Sequence, residues 1–222
     1  MTFAPSSRAR LTKHDLGRFT GETLFDRIAR ACCEAGCLPR KELYEAWEMA
    51  RRIRRVFRGG RVVDLAGGHG LLAQVLLLLD ATSPGALVVD QSIPASAATL
   101  HGALVRVWPR LAGMVEWRTG DLGGVPLGPA DLVVSSHACG ALTDAVLVCA
   151  VDARARVAVL PCCHDATACD AGPLTGWLDP ALAIDAMRAA RLEGHGYRVS
   201  THTIPATITP KNRLLLGEPD GN

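Results

Sequence analysis

The chain has 222 residues, a formal net charge of +2, 49% hydrophobic and 21% charged residues, which suits one globular core and excludes a disordered chain. So small a net charge gives no argument for a nucleic-acid partner, which would have to come from a local patch. The longest apolar stretch, residues 71–79, is interrupted by Gln74 and followed by Asp80, far short of the roughly 20 apolar residues that span a bilayer, so no membrane association is expected.

The first residues, MTFAPSSRARLTKHDLG, lack the basic-then-apolar order of a secretory signal, and a cytoplasmic location is expected. In that setting the eight cysteines read as reduced thiols, core residues or ligands, not as a disulfide framework. Residues 12–58 are helical in pattern. Thr12 followed by Asp15 gives a capping-box start, and Leu24, Ile28, Ala31 and Ala35 recur at helical spacing until Gly36 and Pro39 break the run. A second helix, about 40–57, carries Leu43, Trp47, Ala50, Ile53 and Phe57 on one side and ends before Gly59-Gly60. Cys33 and Cys37, at i and i+4, read as interhelical packing.

From residue 61 the pattern changes. RVVDLA, ALVVD, MVEWRTGD, ADLVVSS and RVAVLP read as five strands, four of them with the continuous apolar character of strands buried on both faces. Residues 71–79, 95–107 and 142–150 read as crossover helices between them, which predicts a parallel, doubly wound α/β sheet. Asp179-Pro180 starts a further helix running to about Glu193, before Gly194, and YRVSTHTI and NRLLLGE form a closing hairpin at the sheet edge. Residues 1–58 are thus a helical cap and 59–222 an α/β domain.

The segment from Val62 to Ala73, VVDLAGGHGLLA, runs a strand into a glycine turn that opens a helix. Gly67, Gly68 and Gly70 let a ligand approach the backbone. Gly68-x-Gly70-x-x-Ala73 also satisfies the dinucleotide fingerprint, so nicotinamide and flavin cofactors are alternatives. Asp64 separates the two: a carboxylate just before the glycines repels a pyrophosphate and suits the amino group and sulfonium of S-adenosylmethionine. Asp90, at the end of the second strand and 20 residues beyond Gly70, is placed for ribose hydroxyls. Asp121, with Leu122 beside it, is placed for adenine, and Ala66, Gln91 and Ser136 complete the candidate cofactor set. In this order the residues resemble class I methyltransferases, which implies a Rossmann-like, mostly parallel seven-stranded sheet.

Polar chemistry gathers at the ends of the fourth and fifth strands, in Ser136-His137-Ala138-Cys139-Gly140-Ala141-Leu142-Thr143-Asp144 and in Pro161-Cys162-Cys163-His164-Asp165. These segments resemble a methyltransferase branch with HxCGxxTD and CCH motifs, which includes acceptor-stem tRNA 2′-O-methyltransferases. The resemblance covers most of residues 61–217 and implies an acceptor at these strand ends, either an RNA ribose hydroxyl or a small-molecule nucleophile. His137 and His164 are the candidate bases, with Asp144 or Asp165 to orient a ring and Cys139 beside them. A non-catalytic module that holds cofactor or metal is the third reading. Cys139, Cys162, Cys163 and the two histidines have zinc chemistry, but adjacent cysteines are not the usual C-x₂-C spacing, and no metal ligands are assigned. Arg51, Arg54, Arg55 and Arg58, at i, i+3, i+4 and i+7, can either grip a phosphate backbone or form a solvated helix face.

Overall fold

A computed structural model describes residues 3–221. Two helices, α1 (Leu24–Ala35) and α2 (Arg40–Val56), precede an alternating series: β1 (Val62–Leu65), α3 (Leu71–Leu79), β2 (Ala86–Asp90), α4 (Ala97–Val107), β3 (Val115–Thr119), β4 (Leu132–Ser135), α5 (Ala141–Asp152) and β5 (Arg156–Val159). Helix α6 (Pro180–Gly194) and strands β6 (Tyr197–Thr203) and β7 (Arg213–Pro219) complete the chain. The seven strands lie in the order β3-β2-β1-β4-β5-β7-β6. β1 to β5 are parallel to their neighbours, while β7 runs antiparallel to both β5 and β6. The closing hairpin therefore joins the sheet through β7, with β6 outermost. Strand order reverses between β1 and β4, which opens a crevice at their carboxyl ends, where such sheets bind ligands.

The amino-terminal region departs from one continuous helix. The Thr12–Asp15 capping box starts only a six-residue 3-10 turn, Lys13–Arg18. A second cap then starts α1, where Thr23 Oγ1 accepts from the Asp26 amide at 3.2 Å. Two start signals so close together split the segment, because each cap satisfies the amides of its own first turn.

Helices α1 and α2 share one apolar core with the sheet. Ile28, Leu43, Met49 and Ile53 are fully buried in the cluster that contains Val62, Leu76 and Leu100. Cys32 and Cys33 are buried there too, with Cys37 packed against it. Val63, Leu65, Val146, Val157 and Leu192 form the core on the opposite face. β1 is buried on both faces, which explains its unbroken apolar run. Among the described residues, no helix is long and apolar enough to cross a membrane.

The arginine run of α2 does not form one basic face. Arg54 is only 3% exposed: its Nε donates to the Leu76 carbonyl at 3.2 Å, one Nη donates to Ser83 Oγ at 2.7 Å, and the other pairs with Asp80 at 3.3 Å. Burial lowers the Arg54 pKa to about 10 although Asp80 favours its charge. Arg51 and Arg52 both pair with Glu48, which leaves Arg55 and Arg58 exposed at the end of the helix. Helical spacing grouped Arg54 with Arg51, Arg55 and Arg58, but Arg58 lies beyond the end of α2 at Val56 and Arg54 is drawn into the interior.

Candidate active site

β1 leads into the turn Ala66-Gly67-Gly68-His69-Gly70, whose shape needs backbone angles that side chains resist. Ala66 has φ +57°, unusual for a residue with a Cβ, and Gly68 and Gly70 have φ +51° and +67°. A Cβ on Gly67 would lie 2.7 Å from Asp64 Cγ and 2.8 Å from Val88 Cγ1. The turn is tied to the next strand by Asp90, whose Oδ2 accepts from the Gly68 amide at 3.0 Å while Oδ1 accepts from the Ser92 amide at 3.0 Å.

Above this turn lies a cavity of about 340 Å³ lined by Ala66, Gly67, Gly68, His69, Asp90, Ser136 and His137, with Glu42 and Ala46 of α2 on its far wall. His69 Nε2 and Ser96 Oγ are 2.9 Å apart, and burial lowers the His69 pKa. Asp64 does not line the cavity. It is 1% exposed and sits directly behind Gly67, with neither carboxyl oxygen hydrogen-bonded. Burial first, and the nearby Asp90 carboxylate second, raise its pKa to about 7. A cation on the cavity side of Gly67 would relieve that buried acid. The cavity, the free backbone of the turn and the partnerless acid together fit a cationic amino-acid ligand such as the methionine end of S-adenosylmethionine.

Gln91 and Asp121 are exposed and lie outside this lining. Leu122 starts a 3-10 turn and packs against the second core cluster. Glu42, Ala46 and His69 are lining residues that the sequence reading missed. The first two sit on a helix whose polar face gave no sign of what it covers.

A second cavity of about 540 Å³ adjoins the first, sharing Glu42 and His137. Its other walls are Cys139, Cys162 and Cys163, with Lys41 and Glu45 from α2, Arg8, and Thr209 to Lys211 from the segment before β7. Burial raises the Cys139 thiol pKa, and Cys163 adds to this, so Cys139 is a protonated thiol near neutrality and not an activated nucleophile.

The expected convergence of the two histidines is absent. His164 has a side chain only 2% exposed and turns away from the cavity, its Nε2 lying 2.8 Å from Asp185 Oδ1. Asp185 also takes Arg213 at 2.6 Å and Arg188 at 3.3 Å, and His164 and Arg213 hold its carboxyl below the usual range despite burial. Asp144 orients no ring. It accepts two bonds from Arg188, at 3.1 and 2.7 Å, while Arg188 also donates to the Gly140 carbonyl at 2.9 Å. Asp165 accepts from Thr167 in its own loop. A buried arginine attracts carboxylates more strongly than a neutral imidazole does, which the sequence motifs did not reveal. Arg188→Met, which strands these carboxylates, is expected to cost about 3 kcal/mol by urea denaturation.

No family model matches the chain, and no curated protein matches it. Solved structures match its fold. The S-adenosylmethionine-dependent methyltransferase SibL in its apo form is 18% identical with a TM-score of 0.53 over 95% of this chain and 66% of that one. The B. subtilis M1A22 tRNA methyltransferase TrmK is 16% identical with a TM-score of 0.52 over 77% of this chain and 65% of that one. The mitomycin 7-O-methyltransferase MmcR is 20% identical with a TM-score of 0.51 over 92% and 60%. The chain thus spans about two thirds or less of these proteins' lengths, and what it shares with them is the Rossmann-like methyltransferase fold.

Proposed function

We propose that the chain is a methyltransferase that binds S-adenosylmethionine in the glycine-turn cavity and methylates an acceptor held in the adjoining one. The observation that carries this reading is the junction of the two cavities at His137 and Glu42, which would set donor and acceptor side by side. The bound cofactor supplies an electrophilic methyl group on a sulfonium. Gly67, Gly68 and His69 hold its methionine end, Asp64 supplies negative charge from behind the turn, and Asp90 takes the ribose. Asp121, Leu122 and Gln91 are assigned to the adenine end by chain position alone. Residues 1–58 form a cap on a catalytic domain of residues 59–222, because Glu42 and Ala46 close the cofactor cavity.

His137 is the residue placed to accept a proton from an acceptor that begins protonated. With His164 engaged by Asp185, only His137→Ala is expected to lower kcat, by roughly 10²–10⁴-fold; His164→Ala should lower stability and leave kcat within a few-fold for the folded fraction. The acceptor favoured here is a small nucleophile, since burial takes Arg54 out of the arginine run and Glu48 offsets one of the two charges on Arg51 and Arg52. The second reading, RNA, rests on Arg8 and Lys211 at the acceptor cavity, where Lys41 is paired with Glu45. Calorimetry with S-adenosylmethionine, followed by labelled-methyl transfer to fractionated RNA and metabolites, tests both. Uptake of NAD or FAD with none of the sulfonium compound would overturn the proposal.

A further inference from the structure

The sheet brings together three thiols that the sequence keeps apart. β4 and β5 pair in parallel with Ser135 opposite Val159, so the segments leaving the two strands start level. Cys139 follows one strand, and Cys162 and Cys163 follow the other. Their sulfurs lie 3.0 Å (Cys139 to Cys162), 3.4 Å (Cys163 to Cys139) and 3.8 Å (Cys162 to Cys163) apart. All three face the acceptor cavity, and among the described residues their side-chain contacts of hydrogen-bond type are only to one another.

We propose that Cys139, Cys162 and Cys163 form a three-thiolate site for a zinc-class divalent cation whose fourth coordination position opens into the cavity. Zn–S bonds of about 2.3 Å in a tetrahedron put neighbouring sulfurs about 3.8 Å apart. One pair already stands at that distance, and the tightest pair needs to open by less than an ångström, within reach of side-chain rotation. The donor set selects the ion: thiolates suit zinc and copper(I), whereas magnesium and calcium require oxygen. A dication makes three adjacent thiolates compatible by displacing their protons to solvent and cancelling most of their charge; Arg8 and Lys211 on the same walls can offset the remaining negative charge. Three protein ligands plus one open position is the pattern of a site that takes water or a substrate atom as its fourth ligand. The adjacency of Cys162 and Cys163, which argues against zinc from spacing alone, is compensated by Cys139 from the neighbouring strand. The site does not depend on methyl transfer and is tested without it.

The full chain, prepared under reducing conditions, incubated with zinc and desalted, should retain about one zinc per chain by elemental analysis. Cys139→Ser and Cys163→Ser should retain less than about a tenth of that, while Cys149→Ser, which alters a half-buried thiol on α5 outside the cluster, should retain it fully. Titrating the wild-type chain with cobalt(II) gives a readout independent of variant folding: a thiolate-to-metal charge-transfer band saturating at one equivalent. Absence of both retained zinc and the cobalt band in folded wild-type protein overturns the site. Zinc retention equal to that of the wild type in the two serine variants overturns it as well. So does a wild-type chain that takes up no metal and has lost two titratable thiols, which would make the cluster a disulfide-forming pair.

Discussion

Gly68→Leu is expected to abolish measurable binding of S-adenosylmethionine, raising Kd at least about 100-fold, or about 2.7 kcal/mol, in a chain that still folds. Gly68 lines the glycine-turn cavity, and among the described residues no atom beyond its own chain neighbours lies within 4 Å of the position where its Cβ would stand. A side chain there would enter open space, which is the volume a ligand needs. The positive φ of +51° adds about 1–2 kcal/mol of backbone strain for a residue with a Cβ, a loss a packed domain of this size should survive. Gly67 is the contrasting position: its Cβ would strike Asp64 and Val88 from inside, so its substitution would damage the fold and say nothing specific about the ligand. Calorimetry on Gly68→Leu, with a melting curve to establish folding, separates these effects. Wild-type affinity in the folded variant would mean that the ligand binds elsewhere.

The parts of this structure legible in the sequence are those fixed by local rules. The apolar runs of β1, β2, β4 and β5 declared strands buried on both faces, and Asp179-Pro180 declared the start of α6, where Asp179 indeed accepts from the Ala181 and Leu182 amides. The glycine turn was legible because few residue types tolerate its backbone angles. What failed depended on tertiary neighbours. Helical spacing put Arg54 on a face with Arg51, Arg55 and Arg58, but Asp80 and Ser83, far along the chain, take it into the interior. The motif around His164 named a histidine at a strand end without showing that Asp185 of α6 would capture it. Glu42 and Ala46 reach the glycine-turn cavity because α2 packs across α3, a relation that no pattern within residues 40–56 encodes. The thiol cluster arises from the β4–β5 register and is invisible to a search for cysteine spacing within one segment.

Asp64→Asn should change the pH dependence of both binding and stability, in opposite directions. In the free protein burial raises this carboxyl to a pKa of about 7, well above its value in an unfolded chain. The folded state therefore binds more protons than the unfolded state between about pH 4 and 7. The stability this provides is fully present below the unfolded pKa and is lost as pH rises through about 7, where a charged acid must remain buried without a hydrogen-bond partner. Asparagine carries no such charge, so the ligand-free variant should melt above the wild type at pH 8, with the advantage shrinking toward pH 5. Binding shows the reverse. A sulfonium or ammonium group held across Gly67 favours the ionised acid, so below about pH 7 each unit of acidification should weaken wild-type affinity by up to tenfold. The asparagine variant should bind weakly with no such slope. Melting curves and calorimetry from pH 5 to 8 check both. If wild type and variant bound the cofactor equally across that range, the acid behind the turn would have no part in holding the ligand.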